Sequence, residues 1–276
     1  MARYTAPPVT TGTWVRRALV VGYLFLLVVW PVALVVSTTF EGGLTNLRAA
    51  FSDPDVVFAL QLTVYCSAWA VVINTVFGVG ISLLLVRYEF PGRRLLSALI
   101  DLPLSVSPVV VGLALLLAYG GENGFFGPAL TGLGLQVAYA PPGIILATAF
   151  VSLPLVIREL VPVLEEVGVE QEQAARSLGA GAWQTFWRIT LPSIKWALVY
   201  GVVLSLARAL GEFGAVKIIS GNVAGQTQTA TLTVEEKYQD FQQGTAYATS
   251  FLLALIAVAA LVVVTILRPK EDHDGD

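Results

Sequence analysis

Six stretches of almost unbroken apolar residues, 18–37, 58–86, 96–119, 138–157, 196–216 and 248–267, alternate along the chain with short polar segments. Each is long enough to cross the roughly 30 Å hydrocarbon core of a bilayer as a helix. No water is available there to satisfy backbone N–H and C=O groups, so such runs persist only as helices bonded within themselves. The pattern predicts an all-α membrane protein with six transmembrane helices, organised as a single transmembrane domain over residues 1–276. Pro31, Pro103, Pro108, Pro141, Pro142 and Pro154 fall within the runs and, lacking an amide donor, are expected to bend or interrupt them. The polar segments are too short to bury a catalytic core of their own.

Composition agrees with this reading. The chain has 276 residues, 56% hydrophobic and 13% charged, about half the charge of an ordinary soluble domain. Net charge is −3, but topology follows the placement of Lys and Arg. With a cytoplasmic N-terminus, twelve of the sixteen basic residues fall inside: Arg3, Arg16, Arg17, Arg87, Arg93, Arg94, Arg158, Arg176, Arg188, Lys195, Arg268 and Lys270. Arg48, Lys217 and Lys237 fall outside, and Arg208 lies within the fifth run. The expectation is a multi-pass protein of the cell (inner) membrane with both termini cytoplasmic. Segments 38–57, 120–137 and 217–247 then face outward as turns or short interfacial structure. Arg16-Arg17 before the first run imitates a secretory signal, but the run is long and lacks an Ala-x-Ala exit, so it reads as a retained helix.

Several chemistries are excluded on inventory. One cysteine, Cys66, allows no disulfide within the chain and reads as a small packing residue. The single histidine, His273, sits in an acidic tail without partners for a metal cluster, so no metal site is expected. No basic stripe with interleaved aromatics supports nucleic-acid binding. An intramembrane enzyme lacks a His or Lys base in any of the six runs. An ion-coupled secondary transporter would be favoured by inverted repeats and several intramembrane carboxylates; neither is evident.

The segment between the fourth and fifth runs, 158–195, carries the main signal. Glu165, Glu166, Glu170, Glu172 and Arg176 interleave with Leu164, Val167, Ala174, Ala175 and Leu178 at helical spacing. Gly179 then permits a left-handed turn, and Pro192 suits the start of the next helix. The reading is helix, break, helix. Such a helix could lie on lipid headgroups, but those helices are basic to meet anionic lipid; an acidic face fits a protein groove better.

The same residues carry a resemblance. Gln173-Ala174-Ala175, three residues, Gly179, nine residues, Ile189, one residue and Leu191-Pro192 resemble the EAA loop of ABC importer permeases. This sequence departs from that loop in having Gln173 where the family has Glu, with Glu172 beside it. Residues Leu102-Pro103-Leu104-Ser105-Val106-Ser107-Pro108 and Ala207-Arg208-Ala209-Leu210-Gly211-Glu212-Phe213-Gly214 are similar to the sulfate/thiosulfate permease family, most of all its W-type subunits. Molybdate and tungstate permeases share part of the second stretch but are shorter and lack an outer loop like 217–247; they are the alternative.

The resemblance implies the type I ABC importer permease fold, with 158–195 as a coupling-helix loop. Glu172, Gln173, Ala174, Ala175, Gly179, Ile189, Leu191 and Pro192 are the expected ATPase-coupling residues. It also implies a second permease of the paralogous T-type, two ATP-binding cassette subunits and an external sulfate-binding protein. No Gly-x4-Gly-Lys-Ser/Thr phosphate loop occurs, so the chain is expected to be a transport subunit, not an enzyme, with ATP and Mg held by the partner ATPase and no cofactor of its own.

For the anion path, Arg208 and Glu212 are i, i+4 neighbours in the fifth run. Charges there must face a cavity, water or a partner. They serve either as donors along an anion path or as a structural ion pair. Ser105 and Ser107 either offer hydroxyls to a passing oxyanion or bond back to the i−4 carbonyl. Asp101 reads as an interfacial charge or an interhelical partner, and not as an anion ligand.

Overall fold

The computed structural model describes residues 11–267; His273 and the acidic tail, and Arg3, Arg268 and Lys270, lie outside them. The described chain is built of helices. Five are long and apolar enough to span a membrane, and a bent pair of shorter helices meets the same test when its two parts are taken together. The spans are α1 (Gly12–Thr39), α3 (Pro54–Arg87), α7 (Pro141–Val167), α9 (Ala182–Leu210) and α12 (Gln243–Leu267). The bent pair is α4 (Arg93–Ser105) with α5 (Pro108–Tyr119). Short helices α2 (Thr45–Ser52), α6 (Gly127–Gly132), α8 (Glu170–Ser177), α10 (Gly214–Ile219) and α11 (Ala230–Gln239) connect them.

Helix α3 has 34 residues, about 50 Å at 1.5 Å per residue, well beyond a hydrocarbon core of about 30 Å. Its ends therefore reach both polar layers. Asp53 caps its first turn, accepting from the Asp55 amide at 3.0 Å, and also pairs with Lys237 of α11 at 2.6 Å. Arg87 closes its other end against Glu172 of α8. Helices α11 and α8 thus mark opposite faces of the bundle.

The core is the junction of α3, α7 and α9. Val156, Leu160, Leu164 and Ile194 are fully buried there. A Cβ on Gly78 would stand 2.7 Å from Val156 Cγ1, and one on Gly201 would stand 3.1 Å from Val156 Cα. Two helices therefore close on Val156 through missing side chains, as expected where packing rather than hydrophobicity drives association in lipid. Gly80, in the same sequence cluster as Gly78, meets nothing within 4 Å. Asn74 donates to Ser152 at 2.8 Å and Ser205 at 3.2 Å, joining all three helices by a buried polar contact. Cys66 packs among Leu62, Ile144, Val216 and Leu232.

Several boundaries differ from the sequence reading. The run 96–119 is not one helix, since α4 and α5 meet at 115°. Pro108 drives Ser107 out of the helical region to ψ 133°, Val106 is extended as well, and the proline then opens α5. The run 196–216 is broken after Leu210 by Gly211, Glu212 and Phe213. Pro141 and Pro142 do not bend the fourth span; they begin it. The loop 158–195 has two breaks instead of one, because α7 continues to Val167 and stops at Gly168 with φ +69°. Pro192 sits in the first turn of the α-helical stretch Leu191–Leu210, as expected, but that stretch continues α9 out of a π-helical stretch, Phe186–Thr190, and does not begin a separate span.

That π stretch has a simple cause. Pro192 cannot donate to the carbonyl of Arg188, and its ring crowds that oxygen, so the preceding turn widens. Pro31 does the same to α1, where Phe25–Val29 is π-helical and holds Leu27, four residues earlier.

Candidate functional site

Two regions hold the expected functional residues. The first is α8 and the turn after it. Helix α8 ends in a complete Schellman motif: the Gly179 amide donates to Arg176 O at 3.0 Å and the Ala180 amide to Ala175 O at 3.0 Å. This geometry needs the left-handed conformation that Gly179 adopts, φ +89°. The turn thrusts Leu178 outward, 90% exposed. Gln173, Ala174 and Gly179 share the exposed edge, while Ala175 is half-buried.

Glu172 is oriented differently. It is 7% exposed and turned inward, where its Oε1 accepts from Arg87 Nη2 at 3.2 Å and from the Thr190 hydroxyl at 2.9 Å. Ile189 and Leu191 are half-buried in α9 and Pro192 is exposed. Beside them stands an aromatic cluster that the sequence reading missed. Trp183 and Trp187 pack edge to face at 5.5 Å, with Phe186 against Trp187 at 5.5 Å, and Trp183 remains 73% exposed. Their i, i+3, i+4 spacing was the available signal.

The second region is the meeting of two helix breaks. A Cβ on Gly214 would lie 3.1 Å from Pro108 Cβ, and one on Gly112 would lie 2.6 Å from Ala215 O. The starts of α5 and α10 are therefore in near-backbone contact, and the Val106-Ser107 break adjoins the Gly211–Phe213 break. Arg208 Nη1 stands 2.6 Å from Glu212 Oε2. The approach lies off the hydrogen-bond axis, so that oxygen has a charge partner but no hydrogen-bond donor. Glu212 Oε1 accepts the Ala215 amide at 3.0 Å, and Glu212 O accepts the Thr231 hydroxyl at 2.9 Å.

The two members of this pair differ in access. The Glu212 side chain is 2% exposed and the Arg208 side chain 38%. Arg208 therefore keeps N–H donors free on its open side, with its nearest carboxylate held behind it. Ser105 and Ser107 are exposed, and neither hydroxyl makes a hydrogen bond among the described residues, so neither bonds back to the i−4 carbonyl. Asp101 is the interhelical partner expected of it, pairing with Arg158 of α7 at 3.0 Å. A recess of about 430 Å³ beside the break is lined by Ala207, Gly211, Phe213, Val234, Leu253 and Ala257. Its apolar walls suit a helix or acyl chain, not an oxyanion. Among the described residues no group of three or more His, Cys, Asp or Glu side chains is placed to hold a metal.

Spans with apolar outer faces, helices interrupted within the bundle and an exposed helical tip at one end define a multi-pass membrane protein. The chain belongs to the family of binding-protein-dependent transport system inner membrane components, whose pattern it matches over residues 74–273. It is 46% identical over 256 residues to the sulfate transport system permease protein CysW of Synechocystis, covering 93% of this chain and 92% of that one. It is 37% identical to the sulfate transport system permease protein CysT of Escherichia coli, covering 92% and 90%. Its fold matches a chain of a bacterial alginate ABC transporter solved in complex with an alginate pentasaccharide-bound periplasmic protein. There the TM-score is 0.75 at 16% identity, over 95% of this chain and 96% of that one.

Proposed function

We propose that this chain is the transmembrane permease subunit of an ATP-driven importer of sulfate or thiosulfate, with α8 facing the cytoplasm. The observation that carries the reading is the 46% identity to a sulfate permease over nearly the whole of both chains, joined to an exposed edge at Gln173, Ala174, Leu178 and Gly179. A protruding Leu at 90% exposure is unfavourable in water and suits a protein groove. The partners are a second permease of the T-type, two ATP-binding cassette subunits that hold ATP and Mg, and an external sulfate-binding protein. Both termini are cytoplasmic, in keeping with the basic residues on that side. The relatives named above are sulfate permeases, which leaves the molybdate alternative without comparable support.

In this account the ATPase pair closes on the tip of α8. The displacement enters α3, α7 and α9, which are packed through Gly78, Val156 and Gly201 and move as one body. The α5–α10 contact, held by helices only 12 and 6 residues long, is where the bundle yields. An oxyanion passing the breaks meets the open side of Arg208, while Glu212 behind it keeps the site from holding the anion tightly.

The test is reconstitution of this chain with its partner permease, ATPases and binding protein in vesicles. Uptake of radiolabelled sulfate should require ATP and the ATPases. Uptake driven by an ion gradient alone would contradict the proposal.

A further inference from the structure

Two spans meet α8 at one carboxylate oxygen, and the arginine that reaches it ties in a third. Arg87, the last residue of α3, directs Nε and Nη2 to Glu172 Oε1 at 3.3 and 3.2 Å. Its remaining nitrogen, Nη1, donates at 3.0 Å to Leu164 O, one of the carbonyls left without a helical partner at the end of α7. Thr190, in the π stretch of α9, donates to the same Glu172 Oε1 at 2.9 Å. The Arg87 and Glu172 side chains are each 10% exposed and Thr190 is 5% exposed.

The chain itself connects α8 to α7 through Gly168-Val169 and to α9 through the Leu178–Gly181 turn. Both connections turn at glycines with positive φ, Gly168 and Gly179, so neither continues a helical backbone from α8 into its neighbour. Helix α3 has no chain connection to α8 at all; Arg87 bridges the 85 residues between them. A buried ion pair is a poor source of stability, because desolvation offsets its attraction and apolar side chains would fill the space as well. What it supplies is direction: a planar guanidinium fork and one carboxylate oxygen fix where α8 sits relative to three helix ends.

We infer that Glu172 and Arg87, completed by Thr190, are positioning residues that make α8 and the ends of α3, α7 and α9 move together, so that ATP hydrolysis on the partner is converted into a movement of the spans. Glu172 acts from inside the loop, without touching the ATPase. The inference rests on the importer reading above. With the tie cut, α8 still docks and still supports hydrolysis, but its displacement no longer reaches the end of α3 directly.

The experiment is the assembled transporter in vesicles, with ATP hydrolysed and sulfate imported measured on the same preparation. Glu172→Ala is expected to keep hydrolysis within about twofold of wild type while uptake falls by about tenfold or more, the scale set by losing hydrogen bonds to a charged group. ATP consumed per sulfate therefore rises by about tenfold. Glu172→Gln, whose amide oxygen still accepts from Arg87 and Thr190, should restore most of the coupling. Hydrolysis and uptake that fall in proportion, or a ratio unchanged in Glu172→Ala, would overturn the inference. Should Glu172→Ala fail to assemble, Thr190→Val removes a single donor and is expected to raise the ratio by about threefold; an unchanged ratio there overturns it equally. A wild-type complex without ATP-dependent uptake would instead remove the importer reading itself.

Discussion

Arg208 Nη1 lies 2.6 Å from Glu212 Oε2, and the arginine is the exposed member of the pair while the glutamate is buried. A structural ion pair could have either order; an anion path needs this one. Arg208→Gln leaves the buried carboxylate facing the path uncompensated. Sulfate uptake by the reconstituted transporter should fall by about tenfold or more, given that two unit charges 4 Å apart repel by about 4 kcal/mol at an effective dielectric of 20. Arg208→Gln combined with Glu212→Gln relieves the repulsion but supplies no cation, so uptake stays low with assembly intact in both variants. Wild-type uptake by Arg208→Gln would remove this residue from the path.

Gly78 and Gly80 lie two residues apart on α3 and differ in what surrounds them. A methyl group at Gly78 meets the β-branched Val156 at 2.7 Å, so Gly78→Ala should destabilise the protein by about 1–3 kcal/mol through overpacking. Gly80→Ala enters open space and should be neutral or stabilising by up to about 1 kcal/mol, the helix propensity difference. Thermal unfolding of both variants in the same detergent checks the contrast.

The sequence reading found the spans because an apolar run of sufficient length has one physical outcome in lipid. It named Pro108 among the prolines that bend or interrupt a run, as the structure shows, but not which of those prolines would break a helix and which would not. Apolarity says that residues 96–119 lie in the membrane but not that Pro108 would bend them through 115° at Ser107, since a proline can equally kink, begin or widen a helix. Within this one chain Pro108 begins one, Pro154 is accommodated inside α7, and Pro192 follows a π turn. Gly179 was legible, because a helix ending at a glycine predicts the Schellman turn that is present. Glu172 was legible as important but not in its orientation. Its partner Arg87 is 85 residues away, and helical periodicity carries no information about which distant helix end will face it.

The Asp53–Lys237 pair ties α11 to the start of α3. Burial pushes the Asp53 carboxyl upward, but the hydrogen bond and charge of Lys237 and the amides of Asp55 and Val56 outweigh it and hold the group below its ordinary value of 3.8. A depressed carboxylate contributes stability that is present above the unfolded value and is lost as pH falls through the folded one. Hydrogen exchange of the Ala230–Gln239 amides should therefore stay slow down to about pH 4 and accelerate below it. In Lys237→Met most of the lowering is lost, so exchange should already be faster at neutral pH and should depend less on pH below about 4. Exchange that is indifferent to pH between 5 and 2, or identical in the variant, would contradict this tie.

The central claim, that α8 presents its exposed edge to a nucleotide-hydrolysing subunit, is tested most directly by crosslinking from that edge in native membranes. The chain has one cysteine, the buried Cys66, so Cys66→Ser with Ala174→Cys provides a single exposed thiol. A short thiol-reactive crosslinker should join this position to the ATP-binding subunit, with a yield that changes when ATP is added. Adducts to lipid alone, or labelling of position 174 by an impermeant reagent from the outer side of intact cells, would contradict the account.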